Sequence, residues 1–169
     1  LAGLQNRYPY NQWQEILGNV YYNIGAMYIS LEKYQLSLEY LDRAEKIQGP
    51  YLALAHKRAI ALIRSGRREE AQAALEQMAQ LLQSAQDVTE ADRLKCQEAY
   101  MECQEGHLES PAYLELLERL IQALKQDCHF GHLYFYRDRM LEACTRQRKY
   151  KRALEFEGEI SSMVIKSGI

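Results

Sequence analysis

Two clusters of cysteine and histidine are the first places to look for chemistry. Cys96 and Cys103, with His107 four residues beyond, fall on one helical face, and Cys128, His129 and His132 form a second group. Thiolate and imidazole are the ligands of zinc, so both groups raise that question. Neither has the C-x-x-C spacing of a structural site. Cys96 and Cys103 also belong to a stripe, Cys96, Ala99, Tyr100 and Cys103, in which a thiol serves as a small buried apolar group. No metal and no cofactor is therefore expected, and His129 and His132 are expected to flank a helix start. The chain has no Gly-rich phosphate loop, no G-x-S-x-G, no H-E-x-x-H, and no acid pair distinguishable from ordinary helix-surface glutamates. No catalytic residue is assigned, and a non-enzymatic role is expected.

Charge narrows the partners. The run "RQRKYKR", residues 146–152, holds five cations in seven residues and has the composition of a nucleic-acid patch. It falls, however, where a turn between helices is expected, and Arg146, Arg148 and Lys149 there complement the negative end of the preceding helix. Glu155, Glu157 and Glu159 follow closely and cancel much of the field. With a net charge of −2 over 169 residues, direct nucleic-acid binding by this domain is not expected, and DNA contact is left to a separate upstream domain. No run approaches the ~18 apolar residues of a membrane span, and no secretory leader is visible at the start. Four cysteines are too few for a disulfide scaffold in a chain of this size. A cytoplasmic protein without membrane contact is the expectation. Because the sequence opens on Leu1 and not on Met, it is expected to be a piece of a longer protein.

These side chains must be held by helices, since only nine glycines and three prolines interrupt the chain. In "YYNIGAMYISLEKYQLSLEYLDRAEKIQGP", residues 21–50, Tyr21, Ile24, Gly25 and Tyr28 recur at i, i+3, i+4 and i+7, a stripe on a helix expected to begin near Asn11. The pattern restarts with Tyr34, Ser37, Leu38, Leu41 and Ala44 and stops at Gly49-Pro50. Gly25 and Ser37 are small enough to let the two backbones of this hairpin approach closely. Adding 34 to each number carries Gly25 to Ala59, Tyr28 to Leu62, Ser37 to Ala71, Leu41 to Leu75 and Ala44 to Met78, and places Gly66 at the next reversal. Only Arg58, at the place of Ile24, breaks the match.

Further along the period loosens. Thr89 with Asp92 has the form of a capping box, and Ser110-Pro111 opens a helix bearing Leu114, Leu117, Leu120, Ile121 and Leu124. This third hairpin is expected to have longer arms. "KYKRALEF", residues 149–156, matches the first hairpin at an offset of 116, three periods and 14 further residues. There Leu141 stands in the place of Gly25 and Glu157 in the place of Leu41, as suits an edge hairpin with a polar outer face. Eight helices are predicted, with an additional N-terminal turn.

The 34-residue order Tyr21, Ile24-Gly25, Tyr28, Ser37, Leu41, Pro50 resembles the tetratricopeptide repeat (TPR). That resemblance implies an all-α fold, a right-handed superhelix of about four TPR-like hairpins, an α-solenoid. It implies a single domain over residues 1–169, with repeats near 18–51, 52–85, 86–130 and 131–166. A TPR array binds in its concave groove, lined by the leading helix of each hairpin. On the resemblance, that face shows Asn19, Tyr22, Asn23 and Ala26, and in the next repeat His56, Lys57, Ile60 and Arg64. Amides, an aromatic, aliphatics and cations suit an extended peptide. The competing reading is that Tyr22 and Asn23 tie neighbouring repeats together. Eight of the thirteen tyrosines lie in residues 1–51, and core packing there competes with a binding groove in the same way.

The imperfect later repeats and the tyrosine-rich early ones are similar to the C-terminal TPR domain of bacterial helix-turn-helix/TPR peptide-responsive regulators. The resemblance implies a sensing or regulatory domain of a cytoplasmic transcriptional regulator, with a peptide or protein ligand in the concave groove. The alternative is a general scaffold or co-chaperone-like adaptor. Asn19, Asn23 and Lys57 offer fragments of a co-chaperone carboxylate clamp, but Arg93 and Lys95 are not a turn apart and leave it incomplete. Homodimerisation through the array's own apolar surface is a third alternative.

Overall fold

A computed structural model describes residues 10–167, with side chains through Met163. The described residues form eight α-helices and no strand: α1 (Tyr10–Ser30), α2 (Tyr34–Gln48), α3 (Leu52–Arg64), α4 (Arg68–Ser84), α5 (Glu90–Glu102), α6 (Pro111–Gln126), α7 (Phe130–Arg146) and α8 (Tyr150–Ser167). A single 3-10 turn, His107–Glu109, precedes α6. The chain divides into two compact units, Leu1–Gln86 and Asp87–Ile169. The additional N-terminal turn expected from the sequence lies outside the described residues. No helix among the described residues is long and apolar enough to cross a membrane.

In the first unit α1 pairs with α2 and α3 with α4, while α3 also packs against α2 and touches α1. The two hairpins keep the 34-residue register. The leading helices end at Ser30 and Arg64, and the trailing helices start at Tyr34 and Arg68. The backbones of α1 and α2 meet at Gly25. A Cβ there would stand 2.8 Å from Leu41 Cγ and 3.2 Å from the Ser37 carbonyl oxygen. Ser37, wholly buried, donates its hydroxyl to the Gly25 carbonyl at 2.7 Å. A helix carbonyl and a serine hydroxyl thus satisfy each other where water cannot reach. In the second hairpin Ala59, Ala71, Leu75 and Met78 occupy the shifted places and are buried to 1% exposure or less. Gly49 ends α2 at φ 75°, and its N–H bonds the Glu45 carbonyl at 2.7 Å.

One turn design recurs in both units. In Leu31-Glu32-Lys33, Ser65-Gly66-Arg67, Asp127-Cys128-His129 and Gln147-Arg148-Lys149 the middle residue is left-handed, at φ 57°, 77°, 57° and 58°. The third residue's N–H reaches back five positions, as in Lys33 to Tyr28 at 2.9 Å, Arg67 to Leu62 at 3.1 Å, His129 to Leu124 at 2.9 Å and Lys149 to Cys144 at 2.8 Å. Carbonyls left over at each helix end are satisfied in this way, the helix-stop geometry that favours glycine. Only Gly66 meets that preference.

The second unit buries the leucine face of α6 against α5 and α7. Leu114, Leu117, Leu120, Ile121 and Leu124 are buried with Leu133, Tyr136, Met140, Phe156 and Ile160. The capping box at Thr89 forms: its hydroxyl accepts from Asp92 N–H and Asp92 accepts from Thr89 N–H, both at 3.1 Å. The expected longer arms are not where the added length goes. α5 has 13 residues, as α3 does, and the eight-residue connection from Cys103 to Ser110 takes much of it. Gln147 ties that connection down, donating to the Leu108 and Ser110 carbonyls at 3.0 and 2.9 Å. α8 is held by ions as well as by Phe156 and Ile160: Arg152 grips Glu118 at 2.6 and 2.8 Å and Glu159 at 2.9 Å, and Arg137 pairs with Glu157 at 2.5 Å.

Two outcomes follow. Gly25→Ala, which would stabilise an isolated helix, is expected to destabilise the protein by about 1–3 kcal/mol in urea unfolding, because the methyl meets Leu41 and backbone. Glu32→Gly and Arg148→Gly are each expected to raise stability by up to about 1 kcal/mol, read as a higher melting temperature, because the left-handed residue no longer carries a Cβ.

Candidate functional site

The residues expected to line a groove separate into two groups. On α1, Asn19 and Asn23 are exposed, and Tyr22 and Ala26 are half-buried. Asn19 accepts from Gln48 Nε2 at 2.9 Å, which ties α1 to the end of α2. Tyr22 leans on Tyr51, ring centroids 6.0 Å apart, over the buried Leu41, Ala44 and Leu54. Burial, with the neighbouring Tyr51, pushes its phenol well above the ordinary range. This is the inter-repeat tie that competed with the peptide-contact reading. On α3, His56, Lys57 and Ile60 are buried, at 4%, 7% and 0% exposure, and Arg64 is half-buried. Those three line no open surface, because α3 is buried from Leu54 to Leu62 with Arg58 alone partly exposed.

A different cluster is assembled on the first hairpin. Tyr21 and Tyr28 from α1 flank Tyr40 of α2, with centroids 5.9 and 5.7 Å apart. The Arg43 guanidinium lies over Tyr40 at 4.9 Å and over Tyr21 at 5.9 Å. Cation–π attraction of this kind holds a guanidinium against ring faces, and Arg43 keeps its exposure there. Its neighbours on α2 are engaged elsewhere: Asp42 and Glu45 hold Arg58 of α3 at 2.8 and 2.6 Å. Sequence reading passed over this cluster. The signal was present in Tyr40 and Arg43, one turn apart on α2 opposite Tyr21.

In the second unit the buried polar groups bond to one another. Tyr113 donates to Glu98 Oε1 at 2.6 Å, and Arg139 Nε meets Glu102 Oε1 at 3.1 Å. Desolvation, then Glu98 and Glu102, drives the Tyr113 phenol far above its usual value, so it stays a donor. Two carboxylates of α5 are thereby held inside by a phenol from α6 and a guanidinium from α7. This arrangement braces the unit, and its atoms are too deeply placed to meet substrate. Between α5 and α6 a shallow groove of about 440 Å³ opens over Tyr100, Met101, Leu116 and Arg119.

The cysteine and histidine groups do not converge. Among the described residues no three His, Cys, Asp or Glu side chains gather as a metal site. Cys96 is buried in α5, Cys103 half-buried at its end, and His107 turns away to bond the Gln104 carbonyl through Nδ1 at 3.0 Å. Cys128 is exposed in its turn, and His129 and His132 stack at 5.2 Å at the start of α7, as expected. The basic run forms the α7–α8 turn, with Arg146 on Glu109 at 3.4 Å and Arg152 on Glu118 and Glu159.

With that geometry in view, comparison with known proteins adds no relative: no family model, curated protein or solved structure matches the chain.

The thiols are expected to differ in reactivity. Burial pushes Cys96 up to about 11 and raises Cys144 as well, so at pH 8 both stay protonated and covered. Alkylation of the native protein followed by peptide mass spectrometry should label Cys128 first and Cys103 more slowly, with Cys96 and Cys144 labelled only after denaturation. Native labelling of Cys96 at the rate of Cys128 would contradict the burial of α5.

Proposed function

We propose that this chain is a non-enzymatic protein- or peptide-binding module built of TPR-like hairpins in a solenoid. Its role on this reading is the sensing or regulatory part of a cytoplasmic bacterial transcriptional regulator. The observation that carries the binding role is the 34-residue register of the first two hairpins, with helix ends at 30 and 64 and left-handed turns at 32 and 66. Repeated hairpins generate extended faces of one chemistry, which suit a linear or helical segment of another chain better than a small substrate. The exposed apolar residues at the outer side of α1 support the same reading, since Val20 and Met27 on the helix and Leu31 in the turn just past it stand 45%, 51% and 55% exposed. A carboxylate clamp of the co-chaperone kind fits less well. Lys57 is buried, and Asn19 is already bonded to Gln48.

As sensor, the module acts only if its ligand binds one arrangement of the helices more tightly than another, by a typical ~1–3 kcal/mol. Two measurements test these statements separately. Selection of displayed random peptides on the immobilised protein should enrich a shared motif, and no enrichment over a blank surface sinks the binding role. A DNA-binding helix-turn-helix encoded in the same reading frame upstream of Leu1 is expected for the regulator. A parent gene that lacks one removes that part alone.

A further inference from the structure

Helix α1 is apolar on two sides. It packs inward through Gly18, Gly25 and Ile29, all buried. On its other side Val20, Ile24 and Met27 recur at i, i+4 and i+7, a second stripe that Leu31, in the turn just past the helix, continues. Ile24 is half-buried and the other three are exposed. α2 extends this surface with Leu36, Tyr40, Arg43 and Ile47, again at intervals of three and four, of which Leu36 and Arg43 are exposed. The ring contacts of Tyr21 and Tyr28 with Tyr40 join the two stripes into one aromatic and aliphatic face on the hairpin.

A single cation sits within that face. Arg43 is stacked on Tyr40 and Tyr21, and among the described residues no carboxylate lies within ion-pair distance of it. Asp42 and Glu45 are taken by Arg58, and Glu39 accepts from Gln35 at 3.4 Å. A guanidinium braced on aromatic faces offers its planar N–H edge for bidentate pairing with a carboxylate. An apolar surface shared by two neighbouring helices is one on which the side-chain ridge of a third helix packs. A second copy of the chain docked through the same stripes fits poorly, because those stripes hold no carboxylate to meet Arg43.

Resting on the binding role proposed above, we infer that the outer face of the α1–α2 hairpin docks an amphipathic helical segment of a partner protein. The apolar side of that segment carries one acidic residue, seated on Arg43.

The probes are synthetic leucine-faced amphipathic helices with Glu, Gln or Lys at the centre of the apolar side, titrated by fluorescence anisotropy. The titrations use the full chain and its Met27→Asp and Arg43→Glu variants, each checked by circular dichroism for retained helix. The Glu peptide should bind the unsubstituted chain about tenfold tighter than the Gln peptide. Met27→Asp should weaken it at least as much, and Arg43→Glu should reverse the preference toward the Lys peptide. Equal affinity for the three peptides, or affinity unchanged in either variant, overturns the assignment. Self-association that Met27→Asp abolishes in sedimentation, without peptide binding, gives the face to a second copy and overturns it equally. Displayed peptides that still bind both variants would leave the binding role standing while this site falls.

Discussion

The close approach of α1 and α2 at Gly25 is the contact on which the first unit depends. No Cβ separates the helices there, so Leu41 fills the space against Gly25 and Ser37 bonds its carbonyl. The tyrosines that flank the glycine, Tyr21 four residues before and Tyr28 three after, are thereby carried to within about 6 Å of Tyr40. A larger residue at position 25 would part the helices and spread the aromatic cluster that carries Arg43. The local packing rule and the candidate recognition surface therefore share one cause. In the second hairpin Ala59, Ala71 and Leu75 repeat the solution with a small residue in place of none.

The second unit solves the same problem with charge. Where the first hairpin sets Gly25 against Leu41, the corresponding places hold Leu141 and Glu157. Arg137 pairs with Glu157, and Arg152 spans Glu118 and Glu159. Partly exposed pairs of this kind contribute little each, about 0–1 kcal/mol. The apolar burial that secures the unit lies instead along the leucine face of α6. Inside, Tyr113 bonds one oxygen of Glu98 and Arg139 pairs with Glu102, and removing one partner would strand a charge in low dielectric.

Much of the helical organisation was legible because it is written in local period and in helix signals. The 34-residue spacing, the stop at Gly49-Pro50, the reversal at Gly66, and the capping box at Thr89 each act within a few residues of where they stand. The left-handed conformation of Glu32, Cys128 and Arg148 gave no such signal, since residues with a Cβ are not what it favours. Nor did the third hairpin announce that its added length would enter the α5–α6 connection. That choice depends on Gln147, about forty positions away, holding the connection in place.

The amino-acid pattern by itself determined that the described residues are helical, in eight helices, and which small and leucine positions of the first two hairpins turn inward, because periodicity reports which side chains share a face; on α5 it set Tyr100 in one stripe with Cys96, and Tyr100 stands 38% exposed. It did not determine which of the remaining faces stay open. His56, Lys57 and Ile60 have the look of a binding face along α3 and are buried, whereas Val20, Met27 and Leu31 have the look of core and are exposed. Solvent access is a property of what other segments cover, and residues distant in sequence supply that cover only when the helices assemble. The tertiary structure alone therefore decided that Val20 and Met27 stay open on the first hairpin beside Arg43 and its half-buried tyrosines.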